Sequence, residues 1–366
     1  MARTLKVRAT ENGRGPHAIS DPVMAEQPTE VQGGRLARLL DAVQLFRPRT
    51  LARLGKLQRR VDALFAEVRT LKKELDRAKV RERQLRAVLK AECRSDDSRI
   101  IRFEAALEDA QIEQHVAASI GTASLQLDPF PHCVVDNLLP DWYYDTLITA
   151  LPPADLFART ENKQQLTVPL EFGPSYSMRV WDHTATHVTE DAIKPAVLAK
   201  FHTPLTTWLR EVLPVLGKDP VAQLTIHCSN HRILLRRRGY RIRPHRDPKW
   251  GFITCLMYLA RERDDQRWGT QLFAVEGDRE AVGPRPHWIS DAQCRLMREV
   301  AFRPNRALIF LNSAGAHGAQ IPEDAEPADL ERYALQFKIG PDRRSMETVC
   351  ALLPAEQPFW AVKNGD

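Results

Sequence analysis

The stretch GYRIRPHRDP, residues 239–248, places a histidine and an aspartate two positions apart at the end of an arginine-rich run. If the run is extended, residues i and i+2 point to the same face, so the side chains of His245 and Asp247 can approach one point. An imidazole and a carboxylate together suit a divalent metal ion. The alternative is that both residues belong to a turn before Pro248, because aspartate next to proline commonly opens turns.

Short strand-like runs surround this stretch from Ala222 onward. Each run is β-branched, aromatic or aliphatic and is bounded by Gly, Pro, Asn or Asp, a pattern typical of strands. The runs are QLTIHCSNHRILLRRRGY, GFITCLMYLA, GTQLFAVEG, REVAFRPNRALIFLN and ERYALQFKIG. Many short strands at close spacing predict a sandwich or barrel rather than a parallel α/β sheet.

A second histidine follows one of these runs, in ALIFLNSAGAHG. His317 comes after an apolar strand and a segment of small residues, which lets the backbone pass close to another group. Two histidines and one carboxylate can occupy one face of an octahedral ferrous ion and leave positions for a cosubstrate and O2. A hydrolytic zinc site with the same ligand types would need a general base, and none is evident. The pattern therefore favours iron.

Arg332 opens the next strand, RYALQFKIG. Its guanidinium offers two parallel donors that match a carboxylate, so Arg332 can bind the distal carboxylate of a dicarboxylic oxoacid. In an extended chain, Arg332, Ala334, Gln336 and Lys338 share one face, while the apolar residues between them pack on the other. The alternative for Arg332 is a surface salt bridge with an acidic residue just before it.

Taken in order, these elements resemble the double-stranded β-helix, or jelly-roll, core of the iron(II)- and 2-oxoglutarate-dependent oxygenases. The similarity is greatest to the prolyl-4-hydroxylase-like bacterial branch and covers roughly residues 127–340. The elements that carry it are PFPHCVVDNLLP, GYRIRPHRD, FITCLMYL, GTQLF, FRPNRALIFLNSAGAHG and RYALQFKI. The resemblance implies that His245, Asp247 and His317 bind Fe(II) and that Arg332 binds the C5 carboxylate of 2-oxoglutarate.

Three positions depart from the family pattern. Ile242 stands where prolyl hydroxylases carry a cosubstrate-binding tyrosine, Ala334 stands where serine is frequent, and Trp268-Gly269 replaces a pair of glycines. The finer contacts to 2-oxoglutarate are therefore expected from other side chains. The weaker candidates are Tyr258, Arg243 and Lys338, and no catalytic residue is expected beyond the metal ligands.

The resemblance further implies a hydroxylase that uses Fe(II), 2-oxoglutarate and O2, with ascorbate as an activator, and releases succinate and CO2. Halogenating relatives replace the aspartate ligand by a small residue, so Asp247 implies hydroxylation or another oxygen-dependent oxidation. A small-molecule, sugar or peptidyl substrate is expected, and residues 159–187 and 276–293 are candidate lids. Two alternatives from other classes are a cupin-like metal-binding barrel without O2 chemistry and a coiled-coil scaffold with an inactive barrel.

The N-terminal third has a different pattern. Residues 1–34 are rich in Gly, Pro, Glu and Gln and predict a disordered tail, whereas residues 35–120 predict a helical region before a β domain at 121–366. Heptad positions run from about 54 to 92 and predict a parallel two-stranded coiled coil, hence a homodimer. They are Leu54, Leu57, Val61, Leu64, Val68, Leu71, Leu75, Ala78, Glu82, Leu85 and Leu89. The alternative is a helix packed on its own globular domain.

Charge and composition limit the other possibilities. The chain has 366 residues and a net charge of +6, and residues 1–120 hold 24 basic and 17 acidic residues, so the excess is N-terminal. No DNA-reading motif is visible there, and a charged solvated face is favoured over nucleic-acid binding. No apolar run approaches the roughly 18 residues of a membrane span and the start has no signal-peptide core, so a cytoplasmic protein is expected. The six scattered cysteines predict reduced thiols.

Overall fold

The structure is a computed structural model and describes residues 30–93, 97–157, 163–248, 250–277 and 287–352. A π-helical stretch, Thr184–Ile193, joins the fifth and sixth helices. The helices are α1 (Glu30–Glu92), α2 (Asp97–Ala106), α3 (Asp109–Thr122), α4 (Asp141–Thr149), α5 (Ser175–His183), α6 (Lys194–Val212) and α7 (Arg343–Leu352). Most of the tail predicted for residues 1–34 lies outside the described residues, and α1 begins at Glu30, before the predicted start at residue 35.

Twelve strands form two antiparallel sheets. They are β1 (Leu125–Gln126), β2 (His132–Val135), β3 (Lys163–Thr167), β4 (Ile226–Arg236), β5 (Arg241–Arg246), β6 (Ile253–Tyr258), β7 (Thr270–Val275), β8 (His287–Trp288), β9 (Cys294–Val300), β10 (Ala307–Leu311), β11 (Ala316–Gln320) and β12 (Arg332–Pro341). The larger sheet has the order β1-β2-β10-β6-β12-β4-β3, and the smaller has the order β8-β5-β11-β7-β9. Each of the five strand-like runs contains a strand in the structure, and REVAFRPNRALIFLN covers the end of β9 and all of β10.

Eight of these strands form a jelly roll, in which the chain passes back and forth between the two sheets. The strands β10, β6, β12 and β4 lie side by side in the larger sheet, and β5, β11, β7 and β9 lie side by side in the smaller one. Successive strands alternate between the sheets, except β7 and β9, which pair with each other. This double-stranded β-helix confirms the predicted fold class.

Strand alternation divides the apolar residues of the larger sheet between two cores. Leu335 and Phe337 of β12 belong to a core shared with α2 to α6. Ala334 of β12, Leu256 of β6 and Leu272 of β7 belong to a second core between the sheets. The face of β12 that carries Ala334 therefore points between the sheets, which is also the face predicted to carry Arg332 and Lys338.

Helices α2 and α3 precede the boundary expected near residue 121 but join the larger core through Phe103 and Ile112. By its contacts, the chain divides instead into residues 1–77 and 78–366. We therefore propose that α2 and α3 fold with the β domain, which would extend that domain N-terminally beyond the predicted 121–366.

The first candidate lid, residues 159–187, contains β3 and α5. The side chains of Tyr176 and Trp181 on α5 are buried in the larger core, so this helix packs as part of the domain. The second candidate lid, residues 276–293, lies largely outside the described residues.

Helix α1 is a single helix of 63 residues. Within residues 1–77, its heptad side chains from Leu54 to Leu75 are exposed, with exposed fractions between 42% for Val61 and 59% for Leu57 and Val68. A helix normally buries its apolar stripe against another surface. None of the helices in the described ranges is long and apolar enough to cross a membrane.

Candidate metal centre

Strands β5 and β11 pair directly at the predicted metal ligands. His317 lies opposite His245 in the strand register, and their ring centres are 4.2 Å apart. Asp247 comes just after β5; its Oδ1 lies 4.0 Å from Nε2 of His245, and its Oδ2 lies 4.0 Å from Nε2 of His317. All three side chains are buried, and their ligand atoms lie within 4.8 Å of one another. The jelly roll therefore brings His317 next to two residues that lie 72 and 70 positions before it in the sequence.

The local environment gives each of these groups the protonation state that metal binding requires. Nδ1 of His245 lies 2.9 Å from the carbonyl oxygen of Arg243 and donates to it, so Nε2 presents its lone pair to the other two ligands. Burial lowers the pKa of His245 and that of His317, which keeps both imidazoles neutral. Burial acts to raise the pKa of Asp247, but nearby positive charge, above all that of Lys338, outweighs it and lowers the pKa.

A buried hydrogen-bond network holds the Asp247 carboxylate. Thr254 donates its hydroxyl to Oδ2 of Asp247 at 2.7 Å, and Nζ of Lys338 donates to the same oxygen. The Thr254 hydroxyl in turn accepts from Nζ of Lys338 at 3.0 Å and from Nδ2 of Asn312 at 2.9 Å. It thereby uses its one donor and both acceptor positions. Because both donors lie on Oδ2, Oδ1 is left to bind a metal ion.

Two glycines near the metal ligands make room for neighbouring side chains. Gly315, in the small-residue segment before His317, has a φ of +67°, and a Cβ there would collide with the ring of Phe130. A Cβ on Gly251 would collide with the side chain of Lys338. The close contact at Gly315 confirms that small residues before His317 allow the backbone to approach another group closely.

A cavity of about 310 Å³ opens beside the three ligands. It contains His245, Asp247 and His317 in its wall, and most of its other polar lining comes from β4, β12 and β3. Those polar residues are Lys163, Asn230, Arg232, Arg236, Tyr240, Thr254, Thr270, Gln336 and Lys338. The volume is at the lower end of the roughly 300–1,000 Å³ that is usual for ligand pockets, so it suits a small cosubstrate together with part of a small substrate.

Arg332 is buried in the core between the sheets, and it is not among the residues that line this cavity. Its guanidinium carbon lies 4.3 Å from the ring centre of Phe302 and 5.5 Å from that of Trp268. Nη2 donates to the carbonyl of Asp265 at 2.5 Å. Nε and Nη1 have no hydrogen-bond partner among the described residues. Since buried N–H groups without acceptors are costly, a carboxylate oxygen that accepts from Nε or from Nη1 would stabilise this arginine.

The three weaker candidates differ in their placement. Tyr258 is buried near Phe302 and donates its hydroxyl to Thr270, which lines the cavity. Lys338 lines the cavity but binds Asp247. Arg243 has an exposed side chain outside the cavity lining, and its role at the site is to provide the backbone carbonyl that orients His245.

Several site residues were not predicted from the sequence. The alternation in HRILLRRR would have placed Arg232 and Arg236 on one face of a strand, and Thr254 is a polar residue on the inner face of an otherwise apolar run. By contrast, Lys163 lies on edge strand β3 and Asn312 follows β10, and no local pattern relates either of them to the metal ligands. Only the packing of the sheets reveals their proximity.

No protein-family model matches the chain, and no curated protein matches it. Similar solved structures include SnoN, a non-heme alpha-ketoglutarate-dependent epimerase from nogalamycin biosynthesis, at 12% identity over 62% of this chain and 82% of that chain, with a TM-score of 0.36. A prolyl-4-hydroxylase of Pseudomonas putida is 14% identical over 62% of this chain and 98% of that chain, with a TM-score of 0.30. Iron-bound HygX of Streptomyces hygroscopicus is 14% identical over 58% and 82%, with a TM-score of 0.35. These similarities are low, so the function of the chain is inferred from its own topology and site geometry.

Proposed function

We propose that the protein is an Fe(II)- and 2-oxoglutarate-dependent dioxygenase that hydroxylates a small-molecule, sugar or peptidyl substrate. The observation that carries this proposal is the buried cluster of His245, Asp247 and His317 on paired strands of a jelly roll. Two neutral imidazoles and one carboxylate are the ligand set of non-heme Fe(II) oxygenases. The buried, partly unsatisfied guanidinium of Arg332 supports a carboxylate-bearing cosubstrate.

In this proposal the side chains position the reactants, and the metal and cosubstrate supply the oxidation. Bound Fe(II) and 2-oxoglutarate would use O2 to insert one oxygen atom into a substrate C–H bond and the other into succinate, with release of CO2. His245 and His317 would bind the ion through Nε2 and Asp247 through Oδ1. Thr254 and Lys338 would keep the carboxylate oriented, and the sheets around the cavity would exclude water.

Formation of succinate from 2-oxoglutarate tests the class. The full-length protein is loaded anaerobically with Fe(II), mixed with 2-oxoglutarate and ascorbate, exposed to air, and analysed with and without a panel of amino acids, peptides, sugars and nucleosides. We expect succinate that depends on both iron and O2, with acceleration by any compound close to the substrate. A protein that binds neither Fe(II) nor 2-oxoglutarate would contradict the proposal and favour a cupin-like barrel or a scaffold.

We further propose that α1 forms a parallel two-stranded coiled coil that makes the protein a homodimer. Support comes from the exposed heptad side chains of residues 54–75 on a continuous helix. In the predicted register Glu67 and Glu74 occupy g positions, where they would meet Lys72 and Lys79 at the e positions of the second chain. The cytoplasmic location and the absence of a nucleic-acid partner stay predictions.

Light scattering tests the coiled coil. We expect the full-length protein to have twice the mass of one 41.7 kDa chain, and α1 alone, Glu30–Glu92, to dimerise as well. A Leu64→Asp/Leu71→Asp variant should be monomeric, because it puts four carboxylates into the apolar seam of the dimer. Ala66→Asp, at an outward f position, is the matched control and should stay dimeric. A wild-type monomer at high micromolar concentration would contradict the coiled coil.

A further inference from the structure

The cavity beside the metal ligands is lined by more cationic side chains than its one carboxylate pairs with. Lys163, Arg232, Arg236 and Lys338 line it, and Asp247 is the one acidic residue among its described lining residues. Lys338 binds Asp247. The other three cations form no ion pair with a described residue. Clusters of side chains with one sign of charge in a low-dielectric cleft attract ligands of the opposite charge.

Two polar atoms in this wall lack a partner. The guanidinium carbon of Arg236 lies 5.1 Å from the ring centre of Tyr240. Nε of Arg236 and the hydroxyl of Tyr240 are both buried and have no hydrogen-bond partner among the described residues. A buried polar group without a hydrogen-bond partner destabilises the folded protein. A ligand with oxygen acceptors would satisfy both groups.

The sheet register holds the cations close together. Lys163 of β3 lies opposite Arg236 of β4. Arg232 is two residues before Leu234 and lies on the same face of β4 as Leu234, which is in the core between the sheets. Burial, and next the positive charge of Arg236, lower the pKa of Lys163. Like charges at this spacing repel one another unless an anion lies between them.

This step rests on the proposed function, in which 2-oxoglutarate binds at the metal centre. The negative charge of 2-oxoglutarate does not require these three cations. A ferrous ion, Arg332 and Lys338 would bring four positive charges, and Asp247 and the two carboxylates of 2-oxoglutarate would bring three negative ones. The negative charges are therefore already balanced without Lys163, Arg232 or Arg236. A second anion can therefore be held on the β3 and β4 side of the cavity.

We propose that the substrate is a small molecule with an oxyanion group, a phosphate or a carboxylate, that is bound by Lys163, Arg232 and Arg236. The two guanidinium groups offer parallel donors suited to either oxyanion, and the lysine adds a point charge. Tyr240 donates its hydroxyl to the same group. The oxyanion thereby orients the substrate so that its oxidised carbon lies toward His245, Asp247 and His317.

Calorimetric titration separates this inference from the proposed function. The full-length protein is first titrated with Mn(II) and 2-oxoglutarate, and the resulting complex is then titrated with glycerol 3-phosphate, glycerate or glycerol. These three probes share a carbon skeleton and differ in carrying a phosphate, a carboxylate or no charge. We expect at least one anion to bind at millimolar concentration and glycerol not to bind, and the stronger anion identifies the oxyanion.

The variants identify the residues responsible. Arg236→Gln and Lys163→Gln should each raise the Kd of the anion at least tenfold, and Arg236→Lys should retain part of the affinity. Arg295→Gln, an exposed arginine on β9, is the matched control and should bind like the wild type. Melting temperatures, measured for each variant, exclude unfolding as the cause.

The possible outcomes are distinct. Failure of 2-oxoglutarate to bind would reject the proposed function, and this inference with it. Binding of 2-oxoglutarate without binding of either anion would reject only the inference. Unchanged anion affinity in folded Arg236→Gln and Lys163→Gln would reject it as well.

Discussion

Replacement of any one metal ligand, by His245→Ala, Asp247→Ala or His317→Ala, is expected to abolish Fe(II)-dependent succinate formation. Loss of a partner that only orients a ligand typically lowers metal affinity about 10–100-fold, and loss of the ligand itself should lower it by at least as much. The measurement is succinate formation together with Fe(II) or Mn(II) binding by calorimetry. Full 2-oxoglutarate decarboxylation by any of the three variants would contradict the ligand assignment.

A buried histidine outside the site provides the control. His231 on β4 bonds to Thr189 at 2.8 Å and does not line the cavity, so His231→Ala should keep its metal affinity. Asp247→Ala has an additional effect, because it removes the carboxylate to which Lys338 donates. Removal of one partner of a buried ion pair costs about 3–5 kcal/mol. The double variant Asp247→Ala/Lys338→Met should therefore regain melting temperature without regaining activity.

Loss of the Arg332 guanidinium should chiefly weaken 2-oxoglutarate binding. Truncation of one partner of a buried charge pair costs about 2 kcal/mol or more, which corresponds to a roughly 30-fold or larger rise in Kd. We expect this rise for Arg332→Gln in calorimetric titration of the Mn(II)-loaded protein with 2-oxoglutarate. The Kd of 2-oxoglutarate for Arg332→Lys should lie between those for Arg332→Gln and the wild type, since lysine keeps the charge but loses the two parallel donors.

The unliganded protein offers an independent check on Arg332. Two of its buried nitrogens lack hydrogen-bond partners among the described residues, and apolar replacement of buried charges is often neutral or stabilising. Arg332→Met should therefore fold without a large loss of melting temperature while it loses 2-oxoglutarate affinity. Arg295→Gln again serves as the control. If the cosubstrate affinity is unchanged in Arg332→Gln but falls in Arg236→Gln, Arg236 and not Arg332 binds the 2-oxoglutarate carboxylate.

Local patterns were sufficient to predict most strands of the jelly roll and the likeness of its ligand pattern to the oxygenases, but not β11 or most of β9. The turn residues between apolar runs marked the other strands, and the alternation in RYALQFKIG placed Ala334 and Lys338 on one face, as the structure has them. The long helix of residues 54–92 was equally evident from its heptads. These features follow from spacing along the chain, because side-chain direction in strands and helices repeats with a fixed period.

The predictions were less complete where distant segments meet. The packing of α2 and α3 through Phe103 and Ile112, and of α5 through Trp181, depends on which faces the larger sheet leaves uncovered. The sequence predicted only a helical region over residues 35–120 and a candidate lid over residues 159–187, and it gave no sign of the surface that these helices cover.

The sequence alone determined which residues could be metal ligands, since His245 and Asp247 end an arginine-rich run that reads as extended and His317 follows an apolar strand and a segment of small residues. Only the tertiary structure decided what surrounds them. It brought Lys338 and Thr254 onto one oxygen of Asp247 and gathered the cavity cations from strands that are far apart in sequence. The physical reason is that strand periodicity sets the face on which a side chain lies, whereas its neighbours on that face depend on the pairing and packing of two whole sheets.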